Sequence, residues 1–180
     1  HSLSYGDVER LPADLAAQFR APRESGGLAL QQGERIAIML PNLLQFPVVL
    51  LAALRADLMV VLVNPLYTAR ELAHQLKDSG ASALVVLANF GHVAQRALEG
   101  SAVREVLLTQ VGDLLPWPKS ALVNFSVRRI KKLVKPFHID GALALTRVRR
   151  YRRRAYSAKR RPLASVKTWP LSECHANAPT

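Results

Sequence analysis

Short runs in which nearly every residue is apolar leave this chain few folds to choose from. Arg35-Ile36-Ala37-Ile38-Met39-Leu40 follows a Gly33-Glu34 turn and stops at Pro41-Asn42. Residues 59–63, 83–87 and 106–108 repeat the pattern, rich in Val, Leu and Ala. Runs this short, apolar and bounded by breakers are buried strands rather than helices. Longer segments separate them. Residues 43–54 are Leu- and Ala-rich and long enough for about three helical turns; Pro47 fits that helix only near its start, where no backbone hydrogen bond is lost. Residues 69–79 follow Thr68, an N-cap with Glu71 completing a capping box, carry Leu72, Ala73 and Leu76 as one stripe, and stop at Gly80. A short helix is predicted at 92–98. Strands apolar on both faces need cover on both faces, so the pattern predicts an α/β fold: a mostly parallel sheet with helices on both sides.

A membrane span over 36–63 is the competing reading, since the stretch exceeds the roughly 20 apolar residues required. Pro41, Asn42, Gln45 and Pro47 interrupt it, and Arg55 and Asp57 lie inside it, which argues for a water-soluble β-α-β core.

The usual signatures of chemistry are missing. The sequence has no G-x-x-x-x-G-K-[ST], G-x-G-x-x-G or G-x-S-x-G. Gly26-Gly27 reads as a flexible surface turn rather than a phosphate cradle. His74, His92 and His138 form no H-x-x-x-H or H-E-x-x-H pair. Glu71 and His74 share a helix face without an evident source of further metal ligands, and Asp78-Ser79 beside His74 reads as a polar helix end rather than a nucleophile and base. The single cysteine, Cys174, excludes an intrachain disulfide and a thiolate zinc site, and fits a reduced, intracellular setting. From the residues alone, no catalytic, cofactor-binding or metal-ligating set is expected.

The net charge of +12 is unevenly distributed. Residues 1–127 hold 10 Lys+Arg and 11 Asp+Glu, whereas 128–180 hold 15 and 2. A near-neutral globular block is thus joined to a strongly basic end, and the two need separate explanations.

Strings along the first block resemble bacterial long-chain fatty acid–CoA ligases of the adenylate-forming superfamily. They are LSYGDV at 3–8, GERIAIMLPNLLQFPV at 33–48, VNPLYTAREL at 63–72, HQLKDSGA at 74–81 and VGDLLP at 111–116. The likeness runs from about Ser2 to about Thr146, with a weak stretch at 20–30; the string from Asn64 to Leu72 is its most specific part. The resemblance implies an enzyme converting fatty acid, ATP and coenzyme A, with magnesium, to acyl-CoA, AMP and diphosphate through an acyl-adenylate. It implies a cytoplasmic setting, peripheral at the inner membrane surface. Residues 1–146 would be an incomplete N-terminal subdomain. The family's phosphate loop, aromatic-Thr-Glu motif, ribose-binding Asp and catalytic Lys do not occur in these residues, so no catalytic residue carries over. The expectation is a chain inactive alone, binding neither ATP, Mg2+ nor CoA. Asp57 departs from the family, which usually has Gly after Arg-Ala; a buried carboxylate there would need Arg55 or solvent to relieve it. Asn64-Pro65-Leu66-Tyr67-Thr68 reads as a strand-to-helix connector, a structural turn at the strand end where α/β folds also place ligands.

The basic end divides in two. Residues 121–135 put Val123, Val127, Ile130 and Val134 on one helical face, with Arg128, Arg129, Lys131, Lys132 and Lys135 beside or opposite it. This reads either as a surface helix packed on the sheet or as a helix lying on an anionic membrane. Residues 147–180 carry dense blocks, Arg149-Arg150-Tyr151-Arg152-Arg153-Arg154 and Lys159-Arg160-Arg161, which self-repel and are expected to be disordered. Two origins fit: an out-of-frame extension of a truncated ligase gene, or a nucleic-acid-binding arm in which Arg neutralises phosphates and Tyr151 or Tyr156 stacks. A non-enzymatic basic module binding nucleic acid or an anionic membrane is therefore the alternative function.

Overall fold

The computed structural model describes residues 4–115, 118–127, 134 and 136–145, and in it the apolar runs are strands of one parallel sheet. In chain order the elements are α1 (Tyr5–Arg20), β1 (Arg35–Met39), α2 (Gln45–Arg55), β2 (Met59–Leu62), α3 (Ala69–Ser79), β3 (Ala83–Leu87), α4 (Gly91–Ala97), β4 (Glu105–Thr109), α5 (Lys119–Phe125) and β5 (Leu143–Ala144). The strand order is β2-β1-β3-β4-β5, every pairing parallel.

Alternation along the strands divides the core into two layers. Ile36, Ile38, Ala83, Val85 and Leu87 point to α1 and α2, where Leu15, Phe19, Val49 and Ala52 meet them. Ala37, Met39, Leu84 and Val86 point the other way, to Leu72 and Leu76 of α3 and Ala94 and Ala97 of α4. Both faces are covered, as the apolar runs require. No described helix is long and apolar enough to cross a membrane.

β2 corrects the expectation of a second fully buried strand. It is the edge of the sheet, with Met59 and Leu62 exposed and Val60 and Val61 half-buried. The Gln75 side chain donates to the Leu62 carbonyl (3.0 Å), covering one acceptor of that edge. Composition marks a strand but not its place in the order, and the chain turns back after β2 to lay β3 on the far side of β1.

The helix ends follow local chemistry. Leu43 N–H donates to the Pro41 carbonyl (2.7 Å), so α2 starts at Gln45, two residues later than the composition predicts. Pro47 falls in its first turn, as its missing N–H demands. At α3 the expected capping box is present: Glu71 N–H donates to Thr68 Oγ1 (3.4 Å), and Thr68 N–H and hydroxyl both donate to Glu71 Oε2 (2.8 Å each). Those donors hold the Glu71 carboxyl below its ordinary range. Gly80 ends α3 in the left-handed region. Thr68→Ala is expected to destabilise the chain by about 1 kcal/mol. Paired thermal melts measure this, and identical midpoints would remove the cap from the account.

Residues 5–20, for which no element is predicted above, form α1 and pack on α2. Pro12 and the polar residues around it obscure a signal that was present. Ser4 and Asp7 form a capping box, and Leu11, Leu15 and Phe19 recur at helical spacing. The weakly matching stretch after α1 is tightly folded, since Leu28, Ala29 and Leu30 N–H donate to the carbonyls of Gln18, Ala21 and Phe19. Gly26 makes the expected turn at φ 77°, but Gly27 is buried, and any Cβ there would run into the Ala21 carbonyl. It is not a flexible surface residue.

Asp57 is exposed and ion-paired with Arg20 (3.1 Å), not with Arg55. Its backbone sits at φ 52°, a conformation Gly adopts without strain and Asp tolerates, so the Gly that the family resemblance implies would suit this position.

α5 covers Lys119–Phe125, Ser126 and Val127 continue its winding, and Val134 lies in a bend; the rest of the helix expected over 121–135 lies outside the described residues. Arg128, Arg129, Lys131, Lys132, Lys135 and residues 147–180 lie outside the described residues.

Candidate functional site

In a sheet of order 2-1-3-4-5 the chain reverses direction between β1 and β3, and ligands of such folds occupy the crevice beyond the carboxyl ends of those strands. Here a side chain ties the segment after β1 to the loop after β4. Gln45, the first residue of α2 and only 1% exposed, donates from Nε2 to the carbonyls of Gln110 (2.9 Å) and Val111 (3.2 Å), just past β4. β3 lies between β1 and β4 in the sheet, so this link reaches across the strand separating them. Val111 and Leu114 then join Leu40, Leu43 and Leu44 in one apolar cluster.

Asp113 anchors the loop from within. Its Oδ2 accepts from the Thr109 hydroxyl (3.1 Å) and the Gln110 N–H (2.7 Å), and its Oδ1 from the Asn124 amide (3.3 Å). Asn124 Oδ1 accepts in turn from Gly112 N–H (2.8 Å), which clamps α5 to the loop. A side chain at Gly112 would strike Asn124 and the Ser120 carbonyl. Thr109 and Asp113 are buried, and the donors around the carboxylate are spent on it. The cluster is therefore a joint that holds loop and helix, and a buried carboxylate so committed does not suit a general base or a magnesium ligand. Among the described residues no group of three or more His, Cys, Asp or Glu could hold a metal ion.

Opposite, at the amino edge of the sheet, two ion pairs fasten distant segments. Arg104 donates from both terminal nitrogens to Glu34 (2.7 and 2.6 Å), joining the turn before β1 to the start of β4, and Arg23 pairs with buried Glu105. The Arg104 guanidinium lowers the Glu34 carboxyl below its ordinary range, and the carboxylate raises Arg104. A lowered carboxyl contributes stability above its unfolded value, near pH 4.3, and loses it as pH falls through the lower folded value. Glu34→Gln is therefore expected to cost about 1 kcal/mol at pH 7, solvent on Arg104 limiting the pair. That difference should shrink towards zero below about pH 4. Urea midpoints of both proteins from pH 7 to 3 test this, and a pH-independent difference would assign the loss to packing instead.

The other predicted positions are structural. Asn64 Oδ1 accepts from Leu66 N–H (3.0 Å) and its carbonyl from Tyr67 N–H (3.1 Å), making the connector a turn that delivers Thr68 to its cap. Glu71 is spent on that cap, exposed His74 has no part in it, and Ser79 donates to Leu76 (3.4 Å) at the helix end. His138 pairs with Asp140 (2.9 Å) at the surface, and its N–H donates to Gln95 (3.0 Å). Gln45, Thr109 and Asn124 carried no sequence signal beyond polar residues set in apolar runs.

A parallel sheet of this order, covered by helices on both faces, matches a known class of enzymes. The family model of the AMP-binding enzymes matches residues 1–154, and the chain belongs to that family. Within it the chain is similar to bacterial long-chain-fatty-acid–CoA ligases. It is 52% identical over 118 residues to that of Escherichia coli O157:H7, covering 66% of this chain and 21% of the relative. To that of Yersinia pestis it is 48% identical over 133 residues, covering 74% and 24%. A crystal structure of a long-chain-fatty-acid-CoA ligase from Archaeoglobus fulgidus superposes with TM-score 0.55 at 26% identity, over 69% of this chain and 23% of that one. The chain thus spans under a quarter of the length of these relatives.

Proposed function

We propose that this chain is the N-terminal subdomain of a long-chain fatty acid–CoA ligase, joining a fatty acid to coenzyme A at the expense of ATP through an acyl-adenylate. On this reading it acts as scaffold and carries no catalytic group. The 52% identity to the Escherichia coli ligase is the observation that carries the assignment. The hydrogen bonds committed to Asp113 and the Gln45 link across β3 support the scaffold role. The basic residues Arg128, Arg129, Lys131, Lys132 and Lys135 then suit contact with an anionic membrane surface, where a long-chain substrate partitions.

The assignment is tested by exchange. Replacing the matching 118 residues of the Escherichia coli enzyme with those of this chain should preserve acyl-CoA synthesis. A folded but inactive chimera would overturn it. The scaffold role is tested separately by ATP–pyrophosphate exchange with palmitate and Mg2+: none is expected from this chain alone, and turnover would contradict the role.

A further inference from the structure

Asn124 fixes which way α5 faces. Its bonds to Gly112 and Asp113 turn one side of the helix to the loop, where Ser120, Val123 and Val127 are also half-buried. The opposite side carries Leu122 and Phe125, three residues apart, 70% and 58% exposed, with Lys119 one turn before them. Isolated exposed apolar residues need no explanation, but two bulky ones on one stripe of a helix held from behind form a directed surface. The sequence supplies its chemical context: the eight residues after Val127 are RRIKKLVK, five of them basic and none acidic.

We infer that Leu122 and Phe125 are apolar anchors that enter an anionic lipid surface beside this cationic segment. This rests on the membrane contact proposed above and adds the residues that penetrate. Cations alone hold a protein at the headgroup plane by a screened attraction, whereas apolar side chains crossing that plane add a contribution that salt does not remove. A polyanion such as nucleic acid would satisfy the cations but leave Leu122 and Phe125 without a purpose.

The test uses the full chain and vesicles of phosphatidylcholine, alone or with 30 mol% phosphatidylglycerol. The chain should float with the anionic vesicles. Leu122→Ser/Phe125→Ser should lower the partition coefficient about tenfold or more, with an unchanged thermal melt because both positions are exposed. With Trp117 and Trp169 replaced by Phe, Phe125→Trp should retain binding and shift its emission to the blue on anionic vesicles. Equal flotation of the double serine variant and the parent overturns the inference. If Lys131→Gln/Lys132→Gln abolishes flotation while the double serine variant floats like the parent, the membrane contact stands and the anchors fall. Absence of flotation by the parent overturns both, and leaves the ligase assignment to the chimera. If the double variant loses a self-association seen by sedimentation while binding vesicles as before, the face belongs to a second copy and the inference fails.

Discussion

Phe19→Ala is expected to lower stability by about 4 kcal/mol, the largest loss predicted for a single side chain here. Phe19, in the last turn of α1, is 0% exposed, and its ring lies in the cluster formed by Leu15, Leu28, Leu30, Val49 and Ala52 under β1 and β3. Truncation forfeits the transfer of the ring from water and leaves a cavity, because the sheet and α2 are held by their own pairings and do not close on it. Leu66→Ala is the matched control: Leu66 is 82% exposed, so its loss should stay within about 0.5 kcal/mol. Urea denaturation of parent and both variants measures the difference. Equal midpoints for Phe19→Ala and the parent would detach α1 from the core.

The second large effect is at the joint beyond β4. Asp113→Ala removes the acceptor of the Thr109 hydroxyl, the Gln110 N–H and the Asn124 amide together. Thr109 is buried, so water does not replace what is lost, and the expected cost is about 3 kcal/mol. Asp113→Asn retains an acceptor and should cost less, about 1 kcal/mol. Hydrogen exchange gives the local readout: in Asp113→Ala the Gln110 amide should exchange faster, as should the amide of Gly112, whose partner Asn124 is released. Protection unchanged at both amides would show that the loop is held by Gln45 and apolar packing alone.

Much of this architecture was legible before any coordinates. The strands declared themselves because burial on both faces demands unbroken apolar residues, and 35–40 and 83–87 carry nothing else after Arg35. α3 was legible to the residue, since Thr68, Glu71 and Gly80 act within one turn of the position they mark. α1 went unread although its capping box and apolar spacing were present, because Pro12 weighs against a helix interior whereas packing on α2 outweighs that local preference. The edge position of β2 was misjudged because Val-rich composition is shared by central and edge strands.

The joint and the ion pairs belong to a different kind of information. Gln45 meets Gln110 across 65 positions of sequence, and Glu34 meets Arg104 across 70. Neither pairing exists until β3 is inserted between β1 and β4. Sequence by itself determined the identity of the strands, the ends of α3 and the family, because these depend on side chains a few residues apart or on strings kept in order. Tertiary structure alone decided that Gln45 is tied to the loop after β4, that Gly27 is obligatory and that Leu122 and Phe125 face outward. Each of those rests on which segments the strand order makes neighbours, and hydrogen bonding and steric exclusion act only over a few ångströms of space, however far apart the residues lie along the chain.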